Sequence, residues 1–185
     1  VKTSDLRWTN HVKHITWKAA RSLALLRRLR SSLSVQALSI LYLQYIRPIL
    51  EYASIAWSNL PGSAIDRLER VQRKAAKLIL RRPLFHPSDH DEILQSLGWA
   101  TLQSRRMFHL AVLGFKLATN IAPGHIQRLA FPTRRYVHNI RRQDHFSVPY
   151  THTIAHQNSP LYLAATIYNA LSPTTRQSQT LPADK

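Results

Sequence analysis

The sequence predicts an all-α fold, an irregular helical bundle of four to five helices followed by a loosely structured basic C-terminal tail. Three observations lead there. Apolar residues recur at helical spacing in successive segments as far as residue 122. Turn formers separate those segments: Asn59-Leu60-Pro61-Gly62, Pro83 with Pro87, Gly98, and Pro123-Gly124. Hydrophobic residues make up 44% of the 185, enough for a core and too many for a wholly disordered chain. The expected division is a helical core over residues 1–122 and a basic, mostly irregular tail over 123–185.

The first helix is expected from about Asn10 to Arg30. Its apolar stripe is Val12, Ile15, Ala19, Leu23, Leu26 and Leu29, and its other positions include Lys13, Lys18, Arg21, Arg27, Arg28 and Arg30. Ser34 has the hydroxyl to cap the second helix, whose inward face reads Val35, Leu38, Leu41, Tyr42, Tyr45 and Ile49. Pro48 lacks a backbone donor, so that helix should kink or restart there. Ser63, with Asp66 three residues on, is close to a capping box for the third. This helix divides in two as far as Arg82. Ile65, Leu68, Val71, Ala75, Leu78 and Ile79 form an apolar stripe. Arg67, Arg70, Lys74, Lys77 and Arg81 form a basic one, flanked by Arg73. Pro83 and Pro87 end it.

A short helix from Asp89 to Leu97 should stop at Gly98. Thr101 starts the next, with Leu102, Met107, Leu110, Leu113, Leu117 and Ala118 inward. Residues 125–157 alternate basic pairs (Arg134-Arg135, Arg141-Arg142) with His and Pro, without a sustained period. The apolar segment Leu161 to Leu171 should dock on the core, and the last dozen residues read as disordered.

Lys and Arg total 26 against 9 Asp and Glu, a formal net charge of +17. A surface with that excess attracts polyanions, nucleic acid foremost. The absence of cysteine excludes a disulfide framework and a cysteine zinc site, which fits an intracellular protein, nuclear or cytoplasmic. No apolar run reaches the length of a membrane span; the richest, Leu38 to Ile55, is broken by Gln44, Arg47, Pro48 and Glu51. The amino terminus lacks the apolar segment of a signal peptide. The chain begins at Val1 and reads as part of something longer.

Among the chemical signals the basic stripe of the third helix stands first. Coaligned cations with only Glu69 to neutralise them suit a run of phosphates. Trp8, Trp17, Trp57 and Trp99 lie in apolar stretches, so most belong to the core rather than to a base-stacking surface. His86 with His90 and His152 with His156 have the spacing of paired metal ligands, with Asp89 and Asp91 nearby. Pro87 and the weak pattern around residue 152 favour ordinary surface histidines, so no metal or other cofactor is expected. There is no paired-aspartate motif and, with four glycines, no phosphate-cradling loop. Asp89-His90-Asp91-Glu92 reads as the acidic first turn of a helix. No catalytic residue is expected in this chain.

Five stretches, in order, resemble the region that follows the polymerase core in non-LTR (LINE-type, jockey-like) retrotransposon reverse transcriptases. Asp5-Leu6-Arg7-Trp8 with His11 and Ile15 is similar to that family's D-x-L-x-W-x-x-H-I stretch. Ile46-Arg47-Pro48-Ile49-Leu50-Glu51-Tyr52-Ala53 with Ala56-Trp57 resembles its R-P-x-L-x-Y-x-x-x-x-W signature. Arg67 to Ala76 resembles its L-E-x-x-Q-x-K-A-x-R helix, and Leu97-Gly98-Trp99, Leu102 and Arg105-Arg106 its L-G-W-x-x-L-x-x-R-R element. Tyr168-Asn169-Ala170-Leu171-Ser172 resembles the closing W-N-x-L-P, with Tyr and Ser at the Trp and Pro positions.

The resemblance implies a thumb-like helical segment downstream of the fingers and palm of an RNA-directed DNA polymerase. That family's catalytic aspartates lie upstream, in an aromatic-Ala-Asp-Asp motif this chain does not contain. The expected partners are RNA and/or DNA and the parent polypeptide's palm and fingers, with no membrane. The residues expected to hold template–primer or element RNA are Arg67, Arg70, Arg73, Lys74, Lys77, Arg81, Arg105 and Arg106. Four other readings stand beside this one: a free-standing basic helical protein–protein interaction module, a degraded, non-functional retroelement fragment, an enzyme with a His/Asp site around His86 to Glu92, and a basic amphipathic membrane-surface protein.

Overall fold

The computed structural model describes residues 8–83, 90–132 and 145–177, and every regular element among them is helical. The expectations placed on Asp5-Leu6-Arg7, His86, Asp89, Arg134-Arg135, Arg141-Arg142 and residues 178–185 fall outside the described residues. In chain order the elements are α1 (Thr9–Leu29), α2 (Val35–Leu41), a π-helical turn (Tyr42–Ile46), α3 (Arg47–Glu51), α4 (Gly62–Ile79), α5 (His90–Ser96) and α6 (Leu102–Ala118). Then follow α7 (Gly124–Gln127), α8 (Ile154–Gln157), α9 (Pro160–Ala170) and α10 (Pro173–Gln177). The fold is all-α, as the periodicity predicts. Residues 173–177 are helical although the last dozen residues read as disordered.

Two compact units divide the chain, Val1–Arg106 and Met107–Lys185. This boundary falls inside α6, whereas the sequence places it after residue 122. The physical reason lies in the second unit, where α9 packs on the C-terminal half of α6.

In the first unit α1 packs chiefly on α4 and next on α3. Val12, Ile15, Ala19, Leu23 and Leu26 are buried at helical spacing. Ser34 caps α2 as expected, its hydroxyl accepting from the Ala37 amide at 3.2 Å. The buried face beyond it differs from the regular helical pattern. Leu38, Tyr42, Ile46 and Leu50 are buried, while Tyr45 is 71% exposed and Val35 also lies at the surface. Pro48 explains the shift. It has no N–H to give the Gln44 carbonyl, and its ring would clash there. The ladder instead widens by one residue, with the Arg47 amide bonding to the Tyr42 carbonyl. One extra residue in the turn moves Ile46 and Leu50 to where Tyr45 and Ile49 would lie.

The third long helix starts on extended Pro61, with no side-chain cap, so Ser63 does not act as one. Gly62 takes the first helical position, and the fixed φ of Pro61 sets the entry. Ala64, Leu68, Val71, Ala75, Leu78 and Ile79 enter the main core with α1. Ala76, one step around, joins Ile93 and Leu94 of α5 in a second cluster. Being covered from two sides, α4 keeps less solvent-facing surface than two clean stripes imply.

Three helices end in the same way. At α5, Trp99 N–H bonds to the Leu94 carbonyl and Gly98 N–H to that of Gln95. This paired closure puts Gly98 at φ +66°, as its glycine predicts. Asn120 (φ 58°) closes α6 and Arg81 (φ 56°) closes α4 with the same two-bond pattern.

The second unit has its own core of Leu117, Ala122, Phe146, Ala165 and Tyr168. Ser159 caps α9, accepting from Tyr162 N–H. The Asn169 amide holds Phe146 at both backbone groups, accepting from its N–H at 2.9 Å and donating to its carbonyl at 3.0 Å. The apolar 161–171 segment, expected to dock on the main core, packs instead on the C-terminal half of α6 in the second unit's own core. A Cβ at Gly114 of α6 would lie 2.5 Å from the Ala164 carbonyl oxygen, so glycine permits this approach.

Candidate nucleic-acid interface

The cations expected to contact phosphates separate into exposed and internal groups. Arg67, Arg70 and Lys74 are exposed on α4, and Arg73 beside them is half-buried. Lys77, on the same line, is only 6% exposed. It lies one turn before Arg81, whose guanidinium donates to the Arg30 and Leu33 carbonyls at 3.3 Å. This end of α4 therefore abuts the turn after α1, and Arg81 bonds two carbonyls of that turn. Lys77 is thus buried, whereas Arg81 stays exposed while making these two bonds. Of the stripe's cations only Lys77 is covered.

Arg106 is buried and Arg105 half-buried. Arg105 grips both carboxylate oxygens of Glu51, through Nε and through Nη2 (the latter at 3.2 Å). Glu51 also faces Arg47 at 3.7 Å. Hydrogen bonding to Glu51 holds the Arg105 guanidinium more firmly protonated than an ordinary arginine. Arg106 is 4% exposed, and its guanidinium lies 5.9 Å from the centre of the Trp57 ring. Its terminal nitrogens are buried and make no hydrogen bond, and burial lowers its pKa from the usual value. Arg106 is an interior group, and Arg105, its side chain 31% exposed, is engaged by Glu51.

The same neighbourhood brings residues from four of the five motif stretches close together. Tyr42 stacks on Trp99 with ring centres 4.3 Å apart, and burial pushes its hydroxyl pKa well up. Glu69 accepts from Gln103 N–H at 2.8 Å, and Gln72 donates to the Ala100 carbonyl at 3.1 Å. Trp57 is buried, donates to the Tyr52 carbonyl at 2.9 Å, and meets the His11 ring at 5.4 Å. These motif residues hold α3, α4 and the start of α6 together. Trp17 departs from the core assignment made for most of the tryptophans. It is 58% exposed, with Arg21 over its ring at 4.8 Å.

What remains outside is larger than the α4 stripe alone. Lys13, Lys18, Arg21, Arg27 and Arg28 are all exposed on α1, a helix with no acidic residue. Sequence reasoning placed these cations off the apolar face without assigning them to the site. The signal was present in the missing acids, because a merely solvated helix face usually interleaves both signs. Among the unit's described carboxylates, Glu51 and Glu69 bond internally, Glu92 meets Arg82 at 3.4 Å, and Asp66 is exposed on α4 beside Arg67. Free cations therefore outnumber free carboxylates on α1 and α4.

Among the described residues no three His, Asp or Glu come together as a metal-holding group. His152 packs edge-on against Tyr150, and His156 edge-on against Tyr162 and tilted against Phe131. No helix among the described residues is long and apolar enough to cross a membrane. No protein-family model, curated protein or solved structure matches the chain.

Proposed function

We propose that this chain binds RNA or DNA through backbone phosphates, as the thumb-like, post-catalytic part of a non-LTR retrotransposon RNA-directed DNA polymerase. One observation carries the binding reading. The exposed cations Lys13, Lys18, Arg21, Arg27 and Arg28 of α1 and Arg67, Arg70 and Lys74 of α4 lie on two helices packed together, with few free carboxylates beside them. Such contacts position nucleic acid without reading its sequence, which suits a segment holding template–primer for an active site located upstream. The motif resemblance supports the polymerase parentage, and an intracellular, nuclear or cytoplasmic, setting follows from it.

The test is fluorescence anisotropy of the chain with RNA, DNA and hybrid duplexes across a salt series. Each phosphate contact contributes about 0.9 to the slope of log affinity against log salt. Changing Arg67, Arg70 and Lys74 together to Gln should reduce that slope by up to about 3 and weaken all three ligands alike. Arg106→Met, altering an interior group, should leave the slope unchanged. Failure of the folded chain to bind any of the three at low salt would defeat the reading.

A further inference from the structure

An apolar groove runs along the first unit between α1 and the helix interrupted by the π turn. Leu25 and Leu26 form much of one wall, and Leu41, Tyr45, Ile46 and Ile49 the other, around a volume of about 410 Å³. Its rim is open: Leu25 is 58% exposed and Tyr45 71%. Ile40, next to the wall residue Leu41, is exposed as well. The groove follows from the widened turn. By turning Ile46 and Leu50 toward the core, the extra residue leaves Tyr45 outside and Ile49 half-exposed, making a second apolar seam. Apolar seams of this kind on a surface otherwise rich in charge mark interaction sites.

Charge decides what fits there. Arg21 and Arg28 lie four residues before and three after Leu25, and Lys18 four before Ser22, which also lines the groove. All three cations share that side of α1 and are exposed. Neither helix presents a free carboxylate, since α1 has none and Glu51 is engaged by Arg105 and Arg47. A second copy would bring the same cationic rim and another +17 of like charge. A nucleic-acid backbone would satisfy the rim and leave the apolar walls uncovered.

We propose that this groove is the docking site for an acidic amphipathic helix of a partner protein. The partner's apolar residues, at helical spacings of three, four and seven, enter between Leu25 and Tyr45. Its Asp and Glu residues meet Lys18, Arg21 and Arg28 at the rim. The rim cations Lys18, Arg21 and Arg28 also belong to the phosphate-contacting set on α1, whereas Arg67, Arg70 and Lys74 of α4 do not line the groove.

The experiment titrates the whole 185-residue chain into a labelled synthetic helical peptide, with Leu at the inward positions and Glu elsewhere. Two control peptides carry Lys for Glu, or Ser for Leu. The variant chain is Leu25→Ser with Tyr45→Ser; both positions are exposed, and circular dichroism checks that helix content is kept. The expected result is binding of the acidic peptide alone, weakened about tenfold or more in the variant, with RNA affinity unaltered. Three results would overturn the proposal: no binding by the folded chain, equal binding of the Lys peptide, or equal binding by the variant. Self-association lost in the variant, or preference for phosphatidylserine vesicles over the peptide, would likewise replace this occupant with another. Because the variant leaves Arg67, Arg70 and Lys74 intact, failure here is distinguishable from failure of the phosphate-binding reading.

Discussion

Arg105 and Arg106 stand side by side in sequence, and the fold treats them differently. Arg105 reaches a carboxylate and forms a forked ion pair, whereas Arg106 is buried over Trp57 with no acceptor at its terminal nitrogens. A helix turns about 100° per residue, so adjacent side chains meet different surroundings. Their charge was legible in the sequence; their partners were not, because Glu51 and Trp57 lie roughly fifty residues away. His11 shows the same dependence. Packed against Trp8 and Trp57, with Nε2 buried and unbonded, it has its pKa lowered by burial. The unfolded chain therefore binds this proton more readily than the folded one. Stability from His11 is present above the unfolded value of about 6.5 and is lost as pH falls through the lower folded value. Urea denaturation at a series of pH values should show that acid-side loss, and His11→Phe should reduce it.

At the scale of the element, end signals divided according to how local they are. Ser34 and Gly98 act as their types predict, because a cap or a left-handed residue is set within a few positions. Ser63 does not cap, because Pro61 brings the chain into α4 extended and the helix is already under way at Gly62. The π turn was half legible. Pro48 announces a disturbance, but whether the helix kinks, restarts or widens depends on which face the core accepts. The shifted register makes a direct prediction. Ile46→Ala should cost about 2–5 kcal/mol, as a buried truncation does. Tyr45→Ala, a surface change, should stay within about 0.5 kcal/mol. A regular helix would reverse that order, so chemical denaturation of the two variants decides between the registers.

For the molecule as a whole, the division into two units matters more than helix count. The second unit is closed by α9 lying close on α6, and Gly114 is the position that permits it. Gly114→Ala sets a methyl against the Ala164 carbonyl oxygen and the Tyr168 Cβ, and should destabilise that unit by about 1–3 kcal/mol despite alanine's better helix propensity. Gly124→Ala meets nothing within 4 Å and serves as the control in the same thermal melts. Taken alone, the sequence determined the helical class, most of the long-helix boundaries, the core stripe of α1 and the sign of the net charge. Each depends on short-range periodicity, on local turn chemistry or on composition, all of which are complete within a few turns of chain. Tertiary structure alone decided which cations are free, where one unit ends, and which side of the Pro48 helix faces inward. Those outcomes depend on what lies against each side chain from distant segments. Lys77 and Lys74 are alike until one of them is covered.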